Sequence, residues 1–223
     1  DTREEKTNLI NFVENNVDFF TKELSVSEKM LKVFCYVAIS ISGRESSYGM
    51  GEKYKATDWA ETLMSQLDWY TSVGRQASIG PTQMKYSTAD EQLSDSTKQK
   101  IGISGPGDLN NTLKALLTTV GILSINYNKA KSKGYSAKAP GSIKGSENSK
   151  EANKIFVSTS NAALDMSITA YNAGAGSIKN YNKEKNYIPC YGPYCTGNPG
   201  TATYGYVAHV AKYLEIEDIS AKE

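Results

Sequence analysis

The sequence holds one histidine, three cysteines, two tryptophans and six prolines in 223 residues, and these scarcities close off whole classes of protein. A lone imidazole, His209, has no cysteine, histidine or carboxylate at ligand spacing around it. It therefore reads as structural or solvent-facing; no metal site and no nucleophile triad assembles from it, and no cofactor is expected. Three cysteines are too few for a disulfide-stapled scaffold. Nowhere do roughly 20 apolar residues run together, as a membrane-spanning helix requires. The 25 basic side chains are balanced by 24 acidic ones, leaving a formal net charge of +1. No broad field recruits a polyanion, and nucleic acid is not the expected partner. The opening Asp1-Thr2-Arg3-Glu4-Glu5 is polar and lacks an apolar h-region, so no signal peptide reads in this chain.

What is present is the composition of a soluble globular protein, 39% hydrophobic and 22% charged, with enough length for one domain to bury a core without staples. Cys35 lies in an apolar run and reads as core packing. Cys190 and Cys195 bracket a turn-rich Tyr-Gly-Pro-Tyr and read as a small disulfide loop, against the alternative of two unrelated thiols. A disulfide there favours an oxidising compartment, the periplasm or the cell exterior.

Apolar periodicity predicts a mostly α fold with few or no strands. Leu9, Val13, Val17 and Phe20 mark a helix over about 5–23. Ser25 and Glu28 form a capping-box signature for a second helix, which runs to about Gly43 with Met30, Phe34, Val37, Ala38 and Ile41 along one face. That is how a buried central helix reads. Further helices are expected over Asp58–Tyr70, Asp108–Tyr127, Ile155–Tyr171 and from Thr203 onward, with an exposed loop between Lys129 and Lys154. The expected organisation is an N-terminal helical segment, 1–27, packed on a single domain, 28–223.

Three segments carry chemistry. Glu45, in Gly43-Arg44-Glu45-Ser46-Ser47-Tyr48-Gly49, stands where the apolar helix ends. Free carbonyls, the negative end of the helix dipole and burial beside Tyr48 all disfavour its ionised form. A carboxyl group that keeps its proton near neutral pH is what protonates a leaving glycosidic oxygen. Ser78-Ile79-Gly80-Pro81-Thr82-Gln83-Met84 is a tight turn in which Gln83 offers a donor and an acceptor to sugar hydroxyl and acetamido groups. In Ala170-Tyr171-Asn172-Ala173-Gly174-Ala175-Gly176 a helix runs into a glycine-rich stop, presenting a ring with a hydroxyl tip and an amide.

In this order, with Tyr206-Val207 near the last helix, the segments resemble the lytic transglycosylase and goose-type lysozyme family over roughly residues 28–215. The resemblance implies a lysozyme-like fold and cleavage of peptidoglycan with Glu45 as catalytic acid and then base. It also implies that Gln83, Tyr171, Asn172 and Tyr206 hold the glycan, with Ser78 and Tyr48 as further contacts. A location in the cell envelope, periplasm or outside the cell follows from it, with envelope assembly partners in prospect. Three features depart from the family pattern: Thr82 stands where methionine is usual, about 20 extra residues separate Glu45 from Gln83, and the lysine-rich loop before Ile155 is long.

A glycosidase usually employs two carboxylates. The resemblance implies a transglycosylase that manages with one, the substrate's N-acetyl group supporting the charge at C1. Glu52, Asp58, Glu61 and Asp68 are the acids that would make the enzyme a hydrolase by positioning water, although each also reads as surface charge or cap. Trp59, Trp69 and Tyr70 read as core or as one wall of a cleft. Seven lysines against two glutamates between Lys129 and Lys154 read as a solvated loop or a contact with anionic wall polymers. Chitin oligomers as substrate and a non-catalytic glycan-binding or assembly module are the other readings.

Overall fold

Asn16 ends what periodicity reads as one long helix. The chain leaves helical geometry there (φ −128°, ψ 27°) while the Asn16 side chain donates to the Phe12 carbonyl at 2.8 Å, giving α1 (Thr2–Asn15) and α2 (Val17–Leu24) in place of a single element. In the computed structural model of the chain, the described residues are 2–46, 78–138, 143–144, 155–156, 158–181 and 203–223. They are predominantly helical, as expected. The chain divides into two compact units, Asp1–Ile122 and Leu123–Glu223.

In the first unit α1 and α2 pack on α3 (Glu28–Ser46). The start of α3 corrects the expected capping box. Ser25 closes α2 in the left-handed region (φ 53°), and Ser27 caps α3 instead, its Oγ accepting from the Met30 N–H at 3.1 Å. Met30, Phe34, Val37, Ala38 and Ile41 are all buried, as are Leu9, Val13, Phe20 and Leu24 of the two helices packed on α3, so the expected buried helix is present. It runs three residues past Gly43, to Ser46.

Two short strands, β1 (Ser78–Ile79) and β2 (Met84–Lys85), pair antiparallel with Ile79 opposite Met84. Helices α4 (Tyr86–Gln92) and α5 (Asp95–Ile101), which periodicity did not reveal, follow directly. Seven residues are too few for an apolar stripe to repeat, and α5 is held by its ends: the Ser94 Oγ accepts from the Thr97 N–H at 3.1 Å and donates to Glu23 at 2.7 Å. The expected helix over Asp108–Tyr127 is two elements, a 3₁₀ turn (Pro106–Asn110) and α6 (Thr112–Ser132). Asp108 causes the break: its carboxylate accepts from the N–H groups of Ser104 and Gly105, which fixes a turn rather than a helical start.

The second unit comprises the latter part of α6, a ribbon of β3 (Ile143–Lys144) and β4 (Ile155–Phe156), α7 (Ala162–Ala173) and α8 (Thr203–Ile216). The expected helix from Ile155 is thus corrected, since Ile155 and Phe156 pair antiparallel with Lys144 and Ile143, and α7 begins only after Asn161. The N-cap explains it: the Asn161 Oδ1 accepts from the Leu164 N–H at 3.0 Å, and a helix reaching back to Ile155 would forfeit that bond. The expected loop from Lys129 also shortens, because α6 continues to Ser132 and β3 lies within it. Ser167 on α7 donates to the Leu123 carbonyl at 2.6 Å, and Tyr206, Val207, Val210 and Leu214 on α8 are buried in this unit. Among the described residues no helix is long and apolar enough to cross a membrane.

Candidate functional site

Glu45 and Ser46 form the last turn of α3, following Ile39, Ser40, Ile41 and Ser42, which are all buried. The last turn of a helix in general carries carbonyls without intrahelical partners and the negative end of the helix dipole. The side chains of Glu45 and Ser46 lie outside the described residues, as do Tyr48, Glu52, Asp58, Trp59, Glu61, Asp68, Trp69, Tyr70, Cys190 and Cys195.

The glutamine turn joins β1 to β2. Gly80 bends the chain at φ 78° with its α-carbon pressed on the 3₁₀ turn, where a Cβ would come within 1.8 Å of the Leu109 carbonyl oxygen. Only glycine meets both conditions. The turn closes at Gln83, whose main-chain N–H and side-chain Nε2 each donate to the Gly80 carbonyl at 3.0 Å. A carbonyl acceptor identifies the amide atom that faces it as nitrogen, which leaves the Gln83 Oε1 as the atom available to a ligand. Gln83 is held at φ 50°, a region costly for a residue with a Cβ, and it is half-buried between the buried Thr82 and Met84. Ser78, half-buried, sits opposite Lys85 at the open end of the hairpin.

In the second unit α7 delivers Tyr171 half-buried and Asn172 exposed, both in its last turn. Gly174 stops the helix at φ 92°, ψ 153°, a combination essentially confined to glycine. The 3₁₀ turn Ala175–Ser177 behind it is tied down by the Ser177 Oγ, which donates to the Gly174 carbonyl at 2.7 Å, and by Lys129, which donates to the Ala175 carbonyl at 3.0 Å. Tyr206 is 3% exposed, one of the core residues of its unit, and His209 is exposed.

A further group was not anticipated from sequence. Asp165 is buried in the first turn of α7, with Oδ1 accepting from the N–H (2.9 Å) and hydroxyl (2.7 Å) of Thr159 and Oδ2 accepting from the Ser158 hydroxyl at 2.5 Å. Burial pushes this carboxyl up to about 6, against those hydrogen bonds, which favour its ionised form. The signal was legible in part: Ser158-Thr159-Ser160-Asn161 is a run of capping residues just before an apolar helix. Among the described residues no three histidine, cysteine or carboxylate side chains are grouped to hold a metal.

Comparison with known proteins returned no match among family models, curated proteins or solved structures.

Proposed function

We propose that the protein is a peptidoglycan lytic transglycosylase of lysozyme-like fold, acting in the cell envelope with Glu45 as its one catalytic carboxyl group. The observation that carries this reading is the position of Glu45 in the last turn of a helix whose apolar residues are wholly buried. Such a turn favours the protonated acid that glycosidic cleavage needs. The Gln83 turn supports it, since a strained, hydrogen-bonded glutamine with one amide oxygen left over is suited to a glycan hydroxyl or acetamido N–H. Tyr171 and Asn172, ahead of the Gly174 stop, supply a ring and an amide of the kind that hold sugars.

In this mechanism Glu45 donates its proton to the oxygen linking N-acetylmuramic acid to N-acetylglucosamine as the C1–O bond breaks. The substrate's N-acetyl carbonyl supports the positive charge at C1. The C6 hydroxyl of the same muramic residue then attacks C1 and gives its proton to the Glu45 carboxylate. The product is a 1,6-anhydro sugar, the acid is regenerated and no water is consumed.

Digestion of purified sacculi followed by mass spectrometry of the released muropeptides tests the reading. Anhydro ends are expected from the wild type, and Glu45→Gln is expected to lower their release by on the order of a hundredfold while leaving the thermal melt unchanged. Reducing ends without anhydro products mean a hydrolase, release from chitin oligomers alone means a different substrate, and an unimpaired Glu45→Gln variant removes Glu45 from the chemistry.

A further inference from the structure

At the end of α6 the chain turns at Gly134 and places Tyr135 against Tyr181, with ring centroids 5.3 Å apart and planes at 73°. The pair is anchored by main chain: the Tyr135 N–H donates to the Ala130 carbonyl at 3.1 Å and the Tyr181 N–H to the Lys133 carbonyl at 2.8 Å. Both rings remain half-buried, so part of each faces solvent.

Three exposed lysines belong to the same two segments, Lys133 and Lys138 on one and Lys179 on the other. Their neighbours are already committed. Lys129 donates to the Ala175 carbonyl, and Lys131 pairs with Glu223 at 3.2 Å while lying over the Tyr127 ring. The Glu223 N–H donates to the Ala137 carbonyl at 3.1 Å, which sets this residue beside the region, and its side-chain carboxylate is engaged by both Lys131 and the Tyr127 hydroxyl. Among the described residues no carboxylate lies within ion-pair distance of Lys133, Lys138 or Lys179. Among the described residues, 133–138 and 178–181 carry these three lysines and no acidic residue.

We infer that this surface binds an anionic glycan, with Lys133, Lys138 and Lys179 meeting its carboxylate or phosphate groups and the Tyr135–Tyr181 pair taking the apolar face of a sugar ring. Tyrosine suits that partner because its ring packs on C–H groups while its hydroxyl stays wet. The inference rests on the reading that the chain acts on wall glycan, and it adds a holding surface that takes no part in the chemistry.

The test is co-sedimentation of the full chain with purified sacculi, in the Glu45→Gln background so that binding is separated from cleavage. Lys133→Glu, Lys138→Glu and Lys179→Glu combined is expected to weaken binding at least about tenfold at low salt, with the gap closing as ionic strength rises. Tyr181→Ala, checked for folding by its melt, is expected to weaken binding at high salt as well. Sacculi stripped of phosphodiester-linked polymers separate phosphate from carboxylate as the anion recognised. Unchanged binding by the triple variant overturns the inference, as does tighter binding of a single-stranded oligonucleotide than of sacculi. Lysine-dependent binding by a wild type that releases no muropeptide sinks the proposed activity but leaves this surface standing.

Discussion

The hydroxyl of Tyr127 on α6 donates a 2.5 Å hydrogen bond to the carboxylate of Glu223, and it accepts one from the Asn161 side-chain amide at 3.3 Å. Asn161 in turn donates to the Ala221 carbonyl at 2.8 Å and caps α7. One phenol therefore joins α6, the start of α7 and the C-terminal tail within the second unit. Burial raises the Tyr127 pKa, and the Glu223 carboxylate raises it further, so the phenol stays a donor across the working pH range. Tyr127→Phe removes both hydrogen bonds, although Glu223 keeps Lys131 and Asn161 keeps Ala221, and is expected to cost about 1–3 kcal/mol in urea unfolding. A loss below a few tenths of that would mean water replaces the phenol.

Asp165 gives the fold a pH dependence whose sign is unusual for a carboxylate. Its folded pKa, about 6, lies above the 3.8 of an unperturbed aspartate, so folding favours the protonated form. Below pH about 4 both states hold the proton and the fold has its full stability from this group. As pH rises from about 4 to about 6 the unfolded chain ionises first, and roughly 3 kcal/mol is lost before the effect levels off. Asp165→Asn keeps an acceptor for Thr159 and is expected to flatten that window in urea midpoints taken at several pH values. A variant retaining the wild-type slope would assign the dependence to other groups.

Gly80 tolerates no side chain. A Cβ there meets the Leu109 carbonyl oxygen at 1.8 Å, and φ 78° is strained for any L residue. Gly80→Ala is expected to destabilise the chain by on the order of 3 kcal/mol or more, lowering the thermal midpoint. A melt within a degree of wild type would show that the hairpin and the 3₁₀ turn separate at little cost.

Gln83 presents a trade between stability and the proposed activity. Gln83→Gly relieves the backbone at φ 50° but loses the 3.0 Å side-chain bond to Gly80 and frees the unfolded chain. These effects are each about 1 kcal/mol and oppose one another, so stability should stay within about 1 kcal/mol of wild type. Muropeptide release, by contrast, is expected to fall at least about tenfold if the amide oxygen holds the glycan. Equal loss of both, or of neither, would remove Gln83 from substrate binding.

Cys35 is 2% exposed, and burial pushes its thiol up to about 12, with the Glu14 carboxylate adding to the effect. The thiol form is inert as a nucleophile. Under native conditions near pH 8 iodoacetamide should leave Cys35 unmodified in the intact-protein mass, with alkylation appearing only in denaturant. Rapid native labelling at Cys35 would reveal opening of the α1–α3 packing.

What the sequence determined by itself was local. The stripe from Met30 to Ile41 implied a buried helix, and the arrival of Glu45 at its end followed from residues within the same few turns. The Gly174 stop and a last helix from Thr203 were likewise legible, because periodicity and a glycine report on their own neighbourhood, whereas Tyr206, expected to hold the glycan, is 3% exposed in the core of its unit. Tertiary structure alone decided that Ile155 and Phe156 extend beside Ile143 and Lys144, since the same apolar pair suits a helix until a partner strand is supplied. It alone buried Asp165 and joined Tyr127 to a carboxylate 96 residues away, because burial and long-range hydrogen bonds depend on what packs from elsewhere in the chain. Where a residue's role depends on its own turn of helix, sequence is sufficient; where it depends on a distant partner, only the fold supplies that partner.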